Sequence, residues 1–183
     1  MEPYVAFLRA VNVGGKNILP MADLRDVATQ FGLTDPETLL QSGNLFFRSE
    51  LSPQQIQSEL EGQILVRFGF EVKIMLRTLS EMNAIVTSNP LPNEAANAPS
   101  KFLVMFLGDL TDSSNAETLQ ARAKDGEQFA MFSNNLYGFF PNGLGSTKLT
   151  TSVIEKIFGT AGTGRNWNTV LKAIQILDRL QNN

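Results

Sequence analysis

The order of elements along the chain predicts an α+β fold in two halves. The first half reads strand, helix, strand, strand, helix, strand; the second reads strand, helix, strand, strand, helix, helix. Three observations carry this. Apolar, β-prone runs alternate with segments whose apolar residues recur every three or four positions. Capping-box patterns and prolines mark helix starts, and glycines mark helix ends. Between 89 and 100 the chain is rich in proline and asparagine and loses all periodicity, which divides it into halves at 1–88 and 101–183 joined by a linker loop. The βαββαβ order is that of the ferredoxin-like split βαβ unit, and the second half, βαββαα, parallels it without a closing strand.

In order, Tyr4 to Val11 is a buried strand. It leads into Arg9-Ala10-Val11-Asn12-Val13-Gly14-Gly15-Lys16-Asn17, and Pro20 opens a helix with Met21, Leu24, Val27, Ala28 and Phe31 on one face. Leu39-Leu40 and Leu45-Phe46-Phe47 flank Gln41-Ser42-Gly43-Asn44, a turn sequence, and so form a hairpin. Ser52-Pro53-Gln54-Gln55 caps a helix whose stripe is Ile56, Leu60, Ile64, Leu65 and Phe68. Phe70 to Leu76 is a strand, and Thr78-Leu79-Ser80-Glu81 caps a short helix.

The second half opens with a strand from Lys101 to Leu107. Ser114-Asn115-Ala116-Glu117 has the capping pattern for a helix to about Lys124. Gln128–Phe132 and Leu136–Phe140 are strands around Asn134-Asn135, and Pro141-Asn142-Gly143-Leu144-Gly145 is a second glycine loop. A helix follows from about Thr147 to Phe158. Asn166 then caps the last helix, whose stripe is Trp167, Val170, Leu171, Ile174, Leu177 and Leu180.

Composition narrows the chemistry. The 183 residues hold 43% hydrophobic and 18% charged residues, which is the balance of a packed globular protein. The net charge of -3 supplies no global field toward nucleic acid or anionic membrane, so any such binding needs a local patch. With no cysteine, disulfides, thiolate zinc sites and cysteine nucleophiles are excluded; with no histidine, so are Ser-His catalysis and imidazole-ligated metals. No cofactor or metal is expected. The start Met1-Glu2-Pro3-Tyr4 does not read as a signal peptide, and the longest apolar run is too short to span a bilayer, so a cytoplasmic protein is expected.

Arg9–Asn17, Met21-Ala22-Asp23-Leu24, Gln41–Asn44, Pro141–Gly145 with Lys148-Leu149, and Arg165-Asn166-Trp167-Asn168-Thr169-Val170 together resemble the bacterial domain-of-unknown-function family 1697. The motifs span almost the whole chain in the family's order. The resemblance implies an α+β fold of ferredoxin-like halves and implies no activity. This chain departs from the family pattern at Ala10, where glycine is usual, and near Phe102-Leu103, where members often carry a histidine.

The same motifs define a candidate site. Gly14-Gly15-Lys16 misses the Walker A pattern, because Ala10 replaces the first glycine and Asn17 the hydroxyl that would hold magnesium. A looser anion cradle remains, with backbone N–H groups converging beside Lys16; the alternative is a plain glycine turn. Lys148 and Arg165 each stand at an expected helix start, where a cation opposes the helix dipole unless an anion neutralises it. A salt bridge from Arg165 to Asp23 or Glu155 is the alternative. Ser146 or Thr147 reads as an N-cap rather than as a nucleophile beside Lys148. Tyr137-Gly138-Phe139-Phe140 lacks the flanking basic residue of an RNA-recognition strand and reads as a buried hairpin.

The expected function is binding of an anionic ligand between the halves: a phosphorylated small molecule, a nucleotide or a nucleic-acid end. Arg9, Lys16, Lys148 and Arg165 would supply charge. Asn12, Asn17, Ser42, Asn44, Asn166 and Asn168 would supply hydrogen bonds, Gly14 and Gly15 backbone access, and Trp167 a stacking face. An enzyme acting on such a ligand, or a protein-interaction module in which the motifs are structural, are the alternatives.

Overall fold

The computed structural model describes residues 1–182. The chain forms two compact units, Met1–Met82 together with the C-terminal residues from Ala173, and Asn83–Lys172. Composition instead places the division at the 89–100 stretch. That stretch is not an open loop: it holds helix α4 (Pro92–Asn97) and a 3-10 turn, Pro99–Lys101. Its prolines stand at first helical positions, where a missing N–H costs nothing, and Ala95 is buried.

The first unit contains β1 (Glu2–Leu8), α1 (Met21–Gln30), β2 (Thr34–Thr38), β3 (Asn44–Ser49), α2 (Pro53–Phe68), β4 (Ile74–Thr78) and the start of α3 (Leu79–Thr87). Its strands form an antiparallel sheet in the order β2-β3-β1-β4. Tyr4, Ala6, Leu8, Leu45, Phe47 and Ile74 share a core with Leu24, Val27 and Ala28 of α1 and Ile56, Leu60 and Ile64 of α2. The alternate residues Val5, Phe7, Phe46 and Met75 lie on the other face of the sheet and are buried too. Burial on both faces explains why β1 reads as an unbroken apolar run.

Two strands and one helix face fall elsewhere than expected. β2 occupies Thr34-Asp35-Pro36-Glu37-Thr38, not Leu39-Leu40, whose second residue is 60% exposed with φ +61°. A proline is tolerated there because β2 is the sheet edge. β4 begins at Ile74 rather than Phe70, and Leu65, expected in the α2 stripe, is exposed.

The second unit contains β5 (Phe102–Leu107), α5 (Ser114–Gln120), β6 (Gln128–Phe132), β7 (Asn135–Phe139), α6 (Thr151–Phe158), β8 (Gly162–Asn166) and the start of α7 (Trp167–Asn182). Its sheet, β6-β7-β5-β8, is antiparallel and repeats the first topology. Met105, Leu107, Leu136 and Phe140 pack with Ala116 and Leu119 of α5 and Ile154 and Phe158 of α6. The expected Tyr137–Phe140 hairpin is buried, and the Tyr137 hydroxyl donates to the Ile85 carbonyl at 2.9 Å.

The second half is therefore βαββαβ followed by a helix, not βαββαα: β8 is the closing strand that sequence reading misses. Gly162 and Gly164 disguise it, since glycine is depleted in strands. Both are closely packed against side chains of β5. A Cβ at Gly164 would come within 2.9 Å of Leu103 Cδ1 and Cδ2, and one at Gly162 would overlap the end of Met105.

Helix starts also shift. The Ser114–Glu117 capping box does not form, because the Ser114 N–H donates to the Asp112 carboxylate at 2.9 Å. α5 ends at Gln120 rather than Lys124, where the Gln120 side chain bonds the Glu127 carbonyl and the Phe129 N–H. α6 begins at Thr151 rather than Thr147. The Ser52–Gln55 and Thr78–Glu81 boxes form as the sequence indicates.

Candidate functional site

The N-terminal motif folds into a miniature hairpin. The Lys16 N–H donates to the Val13 carbonyl at 3.1 Å, and the Asn12 N–H to the Asn17 carbonyl at 3.1 Å. Gly14 and Gly15 form its two-residue tip with φ +59° and +74°, the left-handed pair that a type I′ turn demands. The tip and Lys16 are exposed. The glycines thus serve the turn, and the Lys16 N–H that an anion cradle would use is spent within it.

Asn12 holds this loop to its surroundings. Its amide nitrogen donates to the carbonyls of Leu19 and Gln41, both at 2.8 Å, and its side-chain oxygen accepts the Leu19 N–H at 2.8 Å. Asn17 donates to the Ala10 carbonyl at 3.1 Å. The Gln41–Asn44 turn packs beneath: the Leu8 N–H donates to the Gly43 carbonyl, and a Cβ at Gly43 would lie 2.5 Å from Val11 Cγ2. Asn44 is fully buried and donates to Ser42 Oγ and the Leu39 carbonyl. The structure therefore brings the Arg9–Asn17 and Gln41–Asn44 motifs together and uses their asparagines as internal ties.

Neither Lys148 nor Arg165 stands at a helix start. Lys148 precedes α6 by three residues and is exposed on a loop. Arg165 lies inside β8 opposite Val104 and is buried. Its guanidinium donates to Thr163 Oγ1 at 2.7 Å and the Gly164 carbonyl at 2.9 Å, and burial lowers its pKa to about 10. Of the expected acidic partners, Asp23 faces Arg67 at 3.6 Å, and the Glu155 carboxylate accepts the Gly162 N–H. Trp167 is a core residue, edge-on to Phe102 with centroids 5.4 Å apart, rather than a stacking face. Asn166 caps α7 by accepting the Thr169 N–H at 2.9 Å, and Asn168 is exposed.

The strand registers reveal an arginine that the sequence does not flag. Arg77 opposes Val5 in β4 as Arg165 opposes Val104 in β8. Each donates to the carbonyl of the preceding residue. Burial lowers the pKa of Arg77 as well, partly opposed by the nearby charge of Glu81. Asn44 and Asn135 correspond likewise, opposite Phe7 and Phe106.

A concave site forms in the second unit around a residue that sequence reading passes over. Glu127 is buried at the end of the 121–127 loop. Its carboxylate accepts the Asp125 N–H at 2.9 Å, the Lys124 N–H at 3.2 Å and the Thr147 hydroxyl at 2.8 Å. Burial alone would raise its pKa. The backbone N–H of Asp125, the Thr147 hydroxyl and the other bonds outweigh that and hold it below the usual carboxylate range. Asn142 donates to the Asp125 carbonyl at 3.2 Å, and Lys101 Nζ to the Pro141 carbonyl at 2.6 Å. The 121–127 and 141–149 loops are thus tied together.

A cavity of about 500 Å³ opens there, with Arg122, Lys124 and Lys148 in its wall beside Asp125, Glu127 and Leu149. A second cavity of about 280 Å³ shares Asp125 and Glu127 and is completed by Phe140, Pro141, Asn142, Gly143, Ser146 and Thr147. The clue in the sequence is the cluster Arg122, Lys124, Asp125 and Glu127 around Gly126, between a helix and a strand. The cavities lined by Phe31 and Leu51, and by Glu61 and Leu65, contain none of the motif residues.

Two four-stranded antiparallel sheets covered by helices, with polar loops pinned by asparagine and glutamate side chains, define an α+β protein of ferredoxin-like halves. The chain belongs to the family described as protein of unknown function (DUF1697), whose model matches residues 1–137. It is similar to a solved structure described as that of conserved bacterial protein SP0830 from Streptococcus pneumoniae. The two share 26% identity and a TM-score of 0.71, over 96% of this chain and 98% of that one. No curated protein matches.

Proposed function

We propose that this protein binds an anionic small molecule, such as a phosphorylated metabolite, in the cavity beside Glu127. The observation that carries the reading is that Arg122, Lys124 and Lys148 line one concavity on loops tied together by a buried carboxylate. Cations grouped in a cleft focus field and favour anions even on a protein whose net charge is negative. The carboxylates of Asp125 and Glu127 offset only part of that field, since three cations share the wall with them and the Glu127 charge is met by two backbone N–H groups and a hydroxyl. Its lowered pKa also makes it a poor proton donor near neutral pH, which favours binding over acid catalysis. We place the protein in the bacterial cytoplasm: the similar structure is bacterial, and among the described residues no helix is long and apolar enough to cross a membrane.

The test is a thermal-shift panel of nucleotides, sugar phosphates, polyphosphate and short oligonucleotides on wild type, Lys148→Ala and Arg122→Ala. A ligand at a hundredfold excess over its Kd contributes about 2.7 kcal/mol, or roughly 5–10 °C for a chain of this size. The expected result is a shift for one ligand class, lost in both variants, whose unliganded melting temperatures stay at the wild-type value. Equal shifts in wild type and variants, or none with any anion, would overturn the reading.

A further inference from the structure

We propose that the ligand of this site is a nucleoside phosphate, whose phosphate meets Arg122, Lys124 and Lys148 while its sugar and base occupy the adjoining smaller cavity. This rests on the anion-binding reading and adds to it the nature of the rest of the ligand.

The two cavities share a wall and differ in chemistry. The larger carries the cations. The smaller carries none: Pro141 forms apolar surface over buried Phe140, and Asn142, Ser146 and Thr147 bring amide and hydroxyl oxygens whose donor groups are already bonded within the loops. Charge at one end with apolar and hydrogen-bonding surface at the other matches an organic phosphate, not a bare anion. An inorganic phosphate would leave the smaller cavity to water.

Asp125 stands where the two meet, since it lines both. Its main chain is committed to the scaffold: the N–H to Glu127 and the carbonyl to Asn142. Its side chain is exposed. A carboxylate beside a phosphate site weakens the binding of a simple anion. It becomes an asset when the ligand carries a vicinal diol next to its phosphate, because an ionised carboxylate accepts hydrogen bonds from sugar hydroxyls, as acids do at ribose in dinucleotide-binding folds. The planar base then lies against Pro141, which covers the buried ring of Phe140; that ring is in turn edge-on to Phe129 at 5.5 Å between centroids.

Internal bonds hold part of the smaller cavity's wall. Ser146 Oγ donates to the Asn142 carbonyl at 2.8 Å, and the Phe140 N–H to the Lys101 carbonyl at 2.9 Å. These bonds tie down the loop that carries the wall, which lowers the ordering cost of binding.

The test compares AMP, GMP, CMP, UMP, ribose 5-phosphate and inorganic phosphate by titration calorimetry on the full chain, as wild type and Asp125→Asn. Asparagine keeps both backbone bonds, so the variant's melting temperature should match wild type. In wild type, at least one nucleoside monophosphate should bind tenfold or more tighter than inorganic phosphate, with ribose 5-phosphate between them. Loss of the charged acceptor should weaken the nucleotide about tenfold, whereas inorganic phosphate, freed of a repulsive charge, should bind as well or better. Nucleotides binding no tighter than inorganic phosphate, or Asp125→Asn weakening both alike, would overturn this inference while leaving anion binding in place. Binding of no phosphate compound to wild type would overturn both.

Discussion

Replacing Asn12 with alanine separates a structural role from a binding one. Its side chain makes three bonds of 2.8 Å: to the Leu19 carbonyl, from the Leu19 N–H and to the Gln41 carbonyl. The two bonds to Leu19 are half-buried and the third is exposed. At about 1 kcal/mol for each half-buried bond and less for the exposed one, their loss costs roughly 2–3 kcal/mol. Asn12 also has φ +55°, a left-handed conformation that asparagine tolerates and alanine resists by about 1 kcal/mol. The sum, about 3–4 kcal/mol, corresponds to a fall in melting temperature of roughly 8–12 °C for this size of chain. Asn12→Gly removes the bonds but not the freedom to adopt positive φ, so it should sit about 1 kcal/mol above Asn12→Ala. Urea unfolding followed by circular dichroism at the helix band measures both. An Asn12→Ala protein within 0.5 kcal/mol of wild type would refute the assignment of this asparagine to the scaffold.

Gly43→Ala should cost about 3 kcal/mol, from positive φ and overlap with Val11 and Leu8, and more than Gly164→Ala, whose added Cβ meets only the Leu103 side chain; chemical denaturation ranks the pair. Arg165→Ala should lower stability by about 2–4 kcal/mol in the absence of any ligand, through a cavity and orphaned acceptors, whereas exposed Lys148→Ala should leave the melting temperature unchanged. Glu127→Gln should cost about 1–3 kcal/mol at neutral pH by weakening its bonds to Asp125, Lys124 and Thr147. Because the folded pKa of Glu127 is depressed, its stabilisation is present above the unfolded carboxylate value and is lost as pH falls through the folded one. The gap between wild type and Glu127→Gln should therefore narrow on acidification, and melting curves across the acid range check it.

The legible parts of the fold are those governed by neighbours in sequence. The Ser52–Gln55 and Thr78–Glu81 boxes form because each needs a hydroxyl and an acid or amide three residues apart, and nothing competes for them. Ser114–Glu117 has the same pattern and fails because the Asp112 carboxylate reaches the Ser114 N–H first. Met21, Leu24, Val27 and Ala28 are buried as their spacing indicates. Leu171, which fits the α7 stripe equally well, is 39% exposed, since periodicity locates a stripe but not its width.

The candidate site was less legible because charge says nothing about burial. Lys148 and Arg165 look alike in sequence, as cations ahead of helices. The fold exposes one on a loop and encloses the other in a strand whose glycines hide it. Arg122 and Lys124 fall within the helix expected to run to about Lys124, but α5 ends at Gln120, whose side chain bonds Glu127 and Phe129, and both cations line a cavity.

By itself, then, the sequence determines the α+β class, the doubled strand and helix order of the two halves apart from α4 between them and the last strand, and the absence of thiol and imidazole chemistry. These follow from composition and from contacts a few residues long. Tertiary structure alone decides that β8 exists, that Asn12 and Asn44 are internal ties, and that Glu127 joins two loops 20 residues apart, as the bond from Thr147 shows. Each of these depends on which distant group reaches a donor, an acceptor or a gap first, and a local pattern carries no record of that competition.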